Sequence, residues 1–438
     1  MGSQASAAAP TLGPRFWLPV VVAVLGLHAT LFGLEHRPAP RSLWGDEVMY
    51  LGLAEREAQG ESAPIELLWP PLYPRFLGGL LWLGGGSRVP IELAQCCLLL
   101  LAALVVRDLG ARLAGDIRAG DVAAALFLLD PQLAAFGHFL WPEALHLALF
   151  LAALWLLTTH ADRPPWLLAA GLLLGLALLS KSLLTAFVPV LLLPLFRAGP
   201  RRGCLRAALV LVPLALCVAP DVLANGRRHG VYAIADSSRF NLLVGLLDRS
   251  RRNLVDEVVG EEYGRWKQSA PDIAGRDAVL DARLRELVAT RGALPLLRAQ
   301  LGRQWFRLFH RDSFFTDQLP GGAIAQLGFG YAAPPPGVAR ALRLWSYVLY
   351  SLVLLVLWVG IAVAPSGPDL GRVFLAFLAY NLVLLLFLHV KTRYRVPLLP
   401  FCDVYVGVAW TRGLPGSPRA RALAALGAAV GLYLAWGG

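Results

Sequence analysis

Four short stretches of this chain combine residue types that could do chemistry. Asp46 and Glu47 are adjacent carboxylates in "SLWGDEVMYLGLA", residues 42–54. Glu143 lies in "GHFLWPEALH", and Lys181 separates two apolar runs in "LALLSKSLLTAF". His389, Lys391, Arg393, Tyr394 and Arg395 share "HVKTRYRVPLLP", residues 389–400. A carboxylate can take the proton of an attacking hydroxyl. Arginines can hold and neutralise a departing phosphate by forked hydrogen bonds that lysine cannot match. Together the residue types suit group transfer from a lipid phosphate. Each stretch also has a structural reading. Asp46–Glu47 and Glu143 could be first-turn helix acids. Lys181 could be a snorkelling interfacial lysine, and the basic cluster could anchor anionic headgroups.

The elements that must position these groups are membrane helices. The chain has 438 residues, 57% hydrophobic and 16% charged, where a soluble protein carries nearer a quarter charged residues. Leu, Ala and Val fill runs too long for soluble core helices, so the fold class is an all-α polytopic membrane protein. Candidate spans are 16–34, 91–107, 120–137, 143–160, 165–180, 182–196, 205–221, 340–363, 371–389, 396–412 and 421–436. That is about eleven, in a range of roughly nine to thirteen. Residues 16–34 read as an uncleaved first span, because the run is long for a signal peptide and no small-x-small site follows. "PPLYPRFLGGLLWLGGG", residues 70–86, is short and glycine-rich and is expected to be re-entrant or interfacial.

The net charge of +11 is mostly arginine, which in a membrane protein reports cytoplasmic loops and anionic lipid, not nucleic acid. If 70–86 does not span, the loops with Arg107, Arg112 and Arg118, with Arg163, and with Arg197, Arg201, Arg202 and Arg206 fall on one side, joined by Arg412, Arg419 and Arg421. That side is cytoplasmic by the positive-inside rule. The opposite face then receives an acidic loop at 35–90, with Glu35, Asp46, Glu47, Glu55, Glu57, Glu61 and Glu66, and a long polar segment from about 222 to 339. All four reactive stretches lie on that face, where the basic cluster runs against the charge rule. The expected organisation is an N-terminal membrane module, 1–221, a loop region with amphipathic helices, 222–339, and C-terminal membrane helices, 340–438. Within the loop region a helix is expected near 277–291. A second, amphipathic helix at 294–311 should lie on the membrane surface. The cysteines, Cys96, Cys97, Cys204, Cys217 and Cys402, show neither metal-ligand spacing nor a disulfide framework.

The order of motifs resembles the GT-C superfamily of integral-membrane glycosyltransferases, nearest to the protein O-mannosyltransferase and lipid A aminoarabinose transferase group. The family's Asp-Glu-x-x-Tyr is matched by Asp46, Glu47 and Tyr50, and its Pro-Pro-Leu-Tyr by Pro70, Pro71, Leu72 and Tyr73. The acid of its next outer loop is matched by Glu143, and a G-x-x-x-G-L-A-x-L-[ST]-K segment by Gly171 through Lys181. Pro220 and Asn225 match a later Pro and Asn, and Arg393 through Pro400 an Arg-Tyr-Arg-x-Pro-x-x-Pro segment. The likeness covers most of the chain in order. It departs at Trp69, where the family often has His or Lys, and the chain ends soon after the last motif, so no soluble C-terminal domain is expected.

The resemblance implies a GT-C-like bundle with outer juxtamembrane helices and an outward-facing cavity. It implies a multi-pass protein of the bacterial inner (plasma) membrane that moves a hexosyl or pentosyl group from a polyprenyl-phosphate-linked sugar to a hydroxyl. The acceptor would be a lipid, a glycan or a protein, and the transfer inverting. Asp46 would be the general base, with Glu47 and Glu143 as supporting acids. Tyr50, Tyr73, Lys181, Asn225, His389, Arg393, Tyr394 and Arg395 would line the substrate site. No cofactor is required by the motifs, and a divalent cation stays open. The rival class is a transporter or flippase of a lipid-linked sugar. Transporters more often set their key charges mid-span at interrupted helices, whereas here they cluster at one face.

Overall fold

The computed structural model describes residues 11–37, 40–61, 68–248, 256–332, 334–365 and 369–437. Glu66 lies outside them. The regular secondary structure of the described residues is helical, apart from an isolated antiparallel bridge between Ser42 and Gly330. The N-terminal part holds α1 (Pro14–Glu35), α2 (Asp46–Ala58), α3 (Leu72–Leu83), α4 (Val89–Ala114), α5 (Ile117–Leu129), α6 (Pro131–Ala135), α7 (Glu143–Thr159), α8 (Pro164–Ser180), α9 (Val188–Leu192) and α10 (Pro200–His229). A lobe follows with α11 (Ser238–Leu247), α12 (Asp256–Ser269), α13 (Ile273–Arg291), α14 (Ala293–Phe309) and α15 (Ala323–Gln326). The C-terminal helices are α16 (Pro336–Val363), α17 (Asp369–Leu384), α18 (Leu399–Arg412) and α19 (Pro418–Trp436).

The protein is an integral membrane protein. Among the described residues five helices are long and apolar enough to cross a bilayer: α1, α4, α10, α16 and α17 with its 3-10 extension to Phe387. Shorter apolar helices, α7 and α8 among them, fill out the bundle. Each of the eleven candidate runs coincides with helical structure, but 120–137 is divided at Asp130 into α5 and the five-residue α6, and 182–196 is not one helix. It breaks into a 3-10 turn (Ser182–Phe187), the five-residue α9 and a second 3-10 turn (Leu193–Ala198). Pro189 and Pro194 each lack the N–H that a continuous helix needs. α3 has 12 residues, about 18 Å of helix, too short to cross a bilayer.

Small residues let the long helices approach closely, as expected where lipid supplies no hydrophobic drive between helices. At Gly360 an added Cβ would sit 1.8 Å from the Tyr405 carbonyl oxygen, and at Gly407 2.1 Å from that of Ala119, so α18 lies backbone-to-backbone against α16 and α5.

The two ends of the bundle differ. At one end Leu12 N–H and the Arg107 guanidinium both donate to Asp121, at 2.7 and 2.6 Å. Arg412 donates to the Ala114 carbonyl there at 3.0 Å. The start of α1, the α4–α5 turn and the end of α18 therefore meet, and so do many of the chain's arginines. The other end carries α2, α3 and the lobe. In the lobe Phe240, Leu243, Val244, Trp266, Leu280, Leu287 and Leu296 close a second, smaller core together with Leu68. α14 departs from the surface helix expected at 294–311. Leu294, Leu297 and Leu301 are exposed, but Arg307 is 1% exposed and pairs with Asp248 at 2.7 Å. A carboxylate from the end of α11 draws this arginine inward.

Candidate active site

Between α2, the lobe and the segment 389–394 lies a cavity of about 720 Å³. Its wall includes Asp46, Tyr50, Trp69, Lys181, His389, Lys391, Arg393 and Tyr394. All four reactive stretches reach it, the one around Glu143 through Pro142, with Glu143 itself set behind Lys181.

Asp46 owes its place to Gly45. That residue has φ +63° and ψ −130°, a conformation open essentially to glycine alone. The chain turns there and α2 starts at once, so Asp46 and Glu47 occupy the first turn, where the helix dipole favours negative charge. Asp46 points into the cavity and accepts a hydrogen bond from Arg393 Nη2 at 3.1 Å. The guanidinium of Arg393 stacks on Trp141, 3.9 Å from the ring centroid. Burial alone would lower the Arg393 pKa, but the neighbouring Tyr394, Asp46 and Glu143 hold it above its usual value. Arg393 is therefore a fixed cation on an aromatic face. Tyr50 meets Tyr73 edge-on at 5.0 Å. Burial first, then the charge of Asp46, pushes its phenol well above the usual range, so it stays a neutral hydroxyl.

Lys181 ends α8 in an extended conformation, φ −151° and ψ 112°, which turns its side chain toward the cavity. Its Nζ donates to Glu143 Oε1 at 2.9 Å and lies 5.4 Å from the Tyr394 ring centroid. Glu143 itself is buried and does not line the cavity, and its other carboxylate oxygen has no hydrogen-bond partner among the described residues. The arrangement puts a partly exposed carboxylate against Arg393, with Lys181 and Lys391 elsewhere on the wall of the same aromatic-lined space.

Other expected site residues lie elsewhere. Glu47 is 0% exposed. Arg41 donates to both of its oxygens at 2.7 Å, and the backbone N–H groups of Leu140 and Trp44 donate to them at 2.9 and 3.0 Å. Arg41 also reaches Glu35 and Gln318, each at 2.7 Å. Burial would lower the Arg41 pKa, and the charges of Glu47 and Glu35 keep it well above the ordinary value. Glu47 thus holds the start of α2 to the loop before α7 and does not face the cavity. Arg395, two residues from Arg393, turns the opposite way. It is buried over the Tyr350 ring at 4.0 Å and donates to Gln132 Oε1 at 3.0 and 2.8 Å and to the His310 carbonyl. Asn225 donates to the Ala233 carbonyl at 2.8 Å, bracing the turn after α10. Tyr73 donates to Gln95 at 2.9 Å behind Tyr50. His389 does line the cavity, with Nε2 3.0 Å from Asp248 Oδ2. Trp141 and Arg41 escaped sequence reasoning. The only signal for Trp141 was its place before Pro142 and Glu143, and for Arg41 there was none.

Over most of its length the chain superposes on the crystal structure of ArnT from Cupriavidus metallidurans bound to undecaprenyl phosphate, with a TM-score of 0.52 and 17% identity, covering 96% of this chain and 64% of that one. The chain has the fold of the GT-C membrane glycosyltransferases. Residues 69–223 match the family described as dolichyl-phosphate-mannose-protein mannosyltransferase. The matched segment holds the Pro70–Tyr73, Glu143 and Gly171–Lys181 motifs, and the resemblance read from those motifs is borne out. The apo state of the same ArnT aligns more loosely, with a TM-score of 0.39, 18% identity and coverage of 91% of this chain and 78% of that one. No curated protein matches the chain. The chain spans under two thirds of the length of the undecaprenyl-phosphate-bound ArnT.

Proposed function

We propose that this protein is a glycosyltransferase that moves a hexosyl or pentosyl group from a polyprenyl-phosphate donor to a hydroxyl acceptor, with inversion. The observation that carries the reading is the Asp46–Arg393 pair on the wall of a cavity that Lys181 and Lys391 also line. A donor phosphate in the cavity competes with Asp46 for the Arg393 guanidinium, whose planar fork suits phosphate. Asp46, released, takes the proton of the acceptor hydroxyl. The acceptor oxygen attacks the anomeric carbon from the face opposite the phosphate. The bond from that carbon to the phosphate oxygen breaks, and its electron pair leaves with the polyprenyl phosphate, stabilised by the basic side chains. The undecaprenyl phosphate in the ArnT crystal structure supports a lipid-phosphate ligand for this fold.

The cavity end is the non-cytoplasmic face of the bacterial plasma membrane in this reading, because the arginine-bearing turns gather at the other end. A cysteine placed at Ser269 should then label from outside whole cells, and labelling only after permeabilisation removes the assignment. The activity test is direct. Purified protein in lipid nanodiscs, given a radiolabelled polyprenyl-phosphate sugar and a hydroxyl acceptor, should release polyprenyl phosphate and form the glycoside. In proteoliposomes, movement of the intact donor between leaflets without transfer would favour a flippase instead.

A further inference from the structure

Outside the cavity, three ligating side chains converge from three stretches far apart in sequence. His28 lies in α1, Cys96 in α4, and His138 in the turn after α6. His28 Nδ1 and His138 Nε2 are 3.1 Å apart. Cys96 Sγ is 3.6 Å from His28 Nδ1 and 4.0 Å from His138 Nε2. We infer that His28, Cys96 and His138 form a binding site for a zinc-class transition-metal ion. The inference does not rest on the proposed transfer activity.

Two features support it. The first is size. A circle through three points at those separations has a radius of about 2.1 Å. Zn–N and Zn–S bonds are about 2.0–2.1 and about 2.3 Å, so an ion slightly above the plane meets all three atoms at bonding distance. The corresponding edges of a tetrahedron, about 3.4 Å between nitrogens and about 3.6 Å from nitrogen to sulfur, are close to the observed ones. A fourth position remains for water or another oxygen ligand.

The second feature is the surrounding shell. Glu92 Oε2 is 2.8 Å from His138 Nδ1, and its Oε1 is 2.7 Å from His36 Nε2. A carboxylate that accepts from Nδ1–H leaves the Nε2 lone pair to face a metal, the arrangement common around histidine ligands. The charges also balance. A divalent ion, the Cys96 thiolate and the Glu92 carboxylate sum to zero, which suits an apolar bundle. Binding releases the thiol proton to solvent, so affinity falls at low pH. The ion would tie α1 and α4 to the turn that carries Leu140, whose N–H holds Glu47, and Trp141, on which Arg393 stacks.

The test uses the full chain, purified through a tag without histidines and held in nanodiscs. After equilibration with zinc and passage through metal-free buffer, elemental analysis should find one equivalent of zinc per chain. The cobalt(II)-loaded protein should show tetrahedral visible bands and a thiolate-to-cobalt band in the near ultraviolet. Cys96→Ala and His138→Gln should lose the ion, Cys97→Ser should keep it, and Glu92→Gln should weaken it about 10- to 100-fold. Added zinc should raise the Tm of the wild type and leave that of Cys96→Ala unmoved. No zinc retained by the wild type overturns the inference, as does an undiminished zinc content in Cys96→Ala. Should the variants fail to fold, the wild-type cobalt spectrum decides, and a spectrum without the thiolate band rejects the site.

Discussion

Two polar clusters meet across one turn of α2, and they are built from the same residue types. In the first, Arg41 joins Glu35, Glu47 and Gln318, every contact at 2.7 Å, with both side chains of its central pair at most 1% exposed. In the second, Asp46 accepts from Arg393 alone among the described residues and remains 32% exposed on the cavity wall. Saturated, dry ion pairs have no capacity left for a ligand and resist rearrangement. An under-coordinated carboxylate beside a stacked arginine can exchange its partner for a phosphate. Adjacent acids in one motif thus separate into a brace and a reactive group. Arg393 and Arg395 divide in the same way, one toward the cavity and one onto Tyr350.

The sharpest way to break this contrast is to neutralise each acid in turn. Asp46→Asn preserves shape and can still begin a helix, but it cannot take a proton. Transfer from a polyprenyl-phosphate donor should fall about 10²- to 10⁴-fold with unchanged melting. Turnover within a few-fold of wild type would move the base elsewhere, with Glu143 the next candidate. Glu47→Gln should show the reverse pattern. Removing one partner of a buried pair costs about 3–5 kcal/mol, so the variant should melt lower and express poorly, and the fraction that folds should turn over near the wild-type rate.

The arginine pair sharpens the comparison at a lower amplitude. Arg393→Lys replaces a fork by a point charge and gives up the stacked plane on Trp141. Donor KM should rise about tenfold, the equivalent of about 1.4 kcal/mol, with stability nearly unchanged. Arg395→Lys should leave donor KM unmoved and lower the melting temperature, because its contacts are all internal. Equal effects of the two lysines on donor KM would contradict the division.

The smallest expected effect lies in the lobe. Asp277 is raised to about 7, by burial first and then by its hydrogen bond and repulsion with Asp236. Its folded value exceeds its unfolded one. The stability it contributes is therefore complete below about pH 4 and lost as pH rises through about 7. Asp277→Asn should flatten the decline of lobe stability over that window, read by hydrogen exchange in α11 and α13. An unchanged slope would assign the decline to other groups.

Much of the fold was legible in the chain because membrane helices are local objects. Long apolar runs, prolines and arginine-bearing turns identify them without knowledge of any partner, and the motif order from Asp46 to Pro400 pointed to the GT-C group. The sequence also determined that Asp46 would begin a helix, since Gly45 and the paired acids specify it within a few residues. Tertiary structure alone decided which of two neighbouring acids faces the cavity, because that depends on Arg41 and Gln318, 277 residues apart. It alone decided that Arg307 is buried, that Lys181 answers to Glu143, and that Cys96 meets His28 and His138 although no spacing in the chain suggests a ligand set. The physical reason is common to these cases. Helical periodicity fixes a side chain's direction relative to its own helix, while its partner is fixed by where another helix stops.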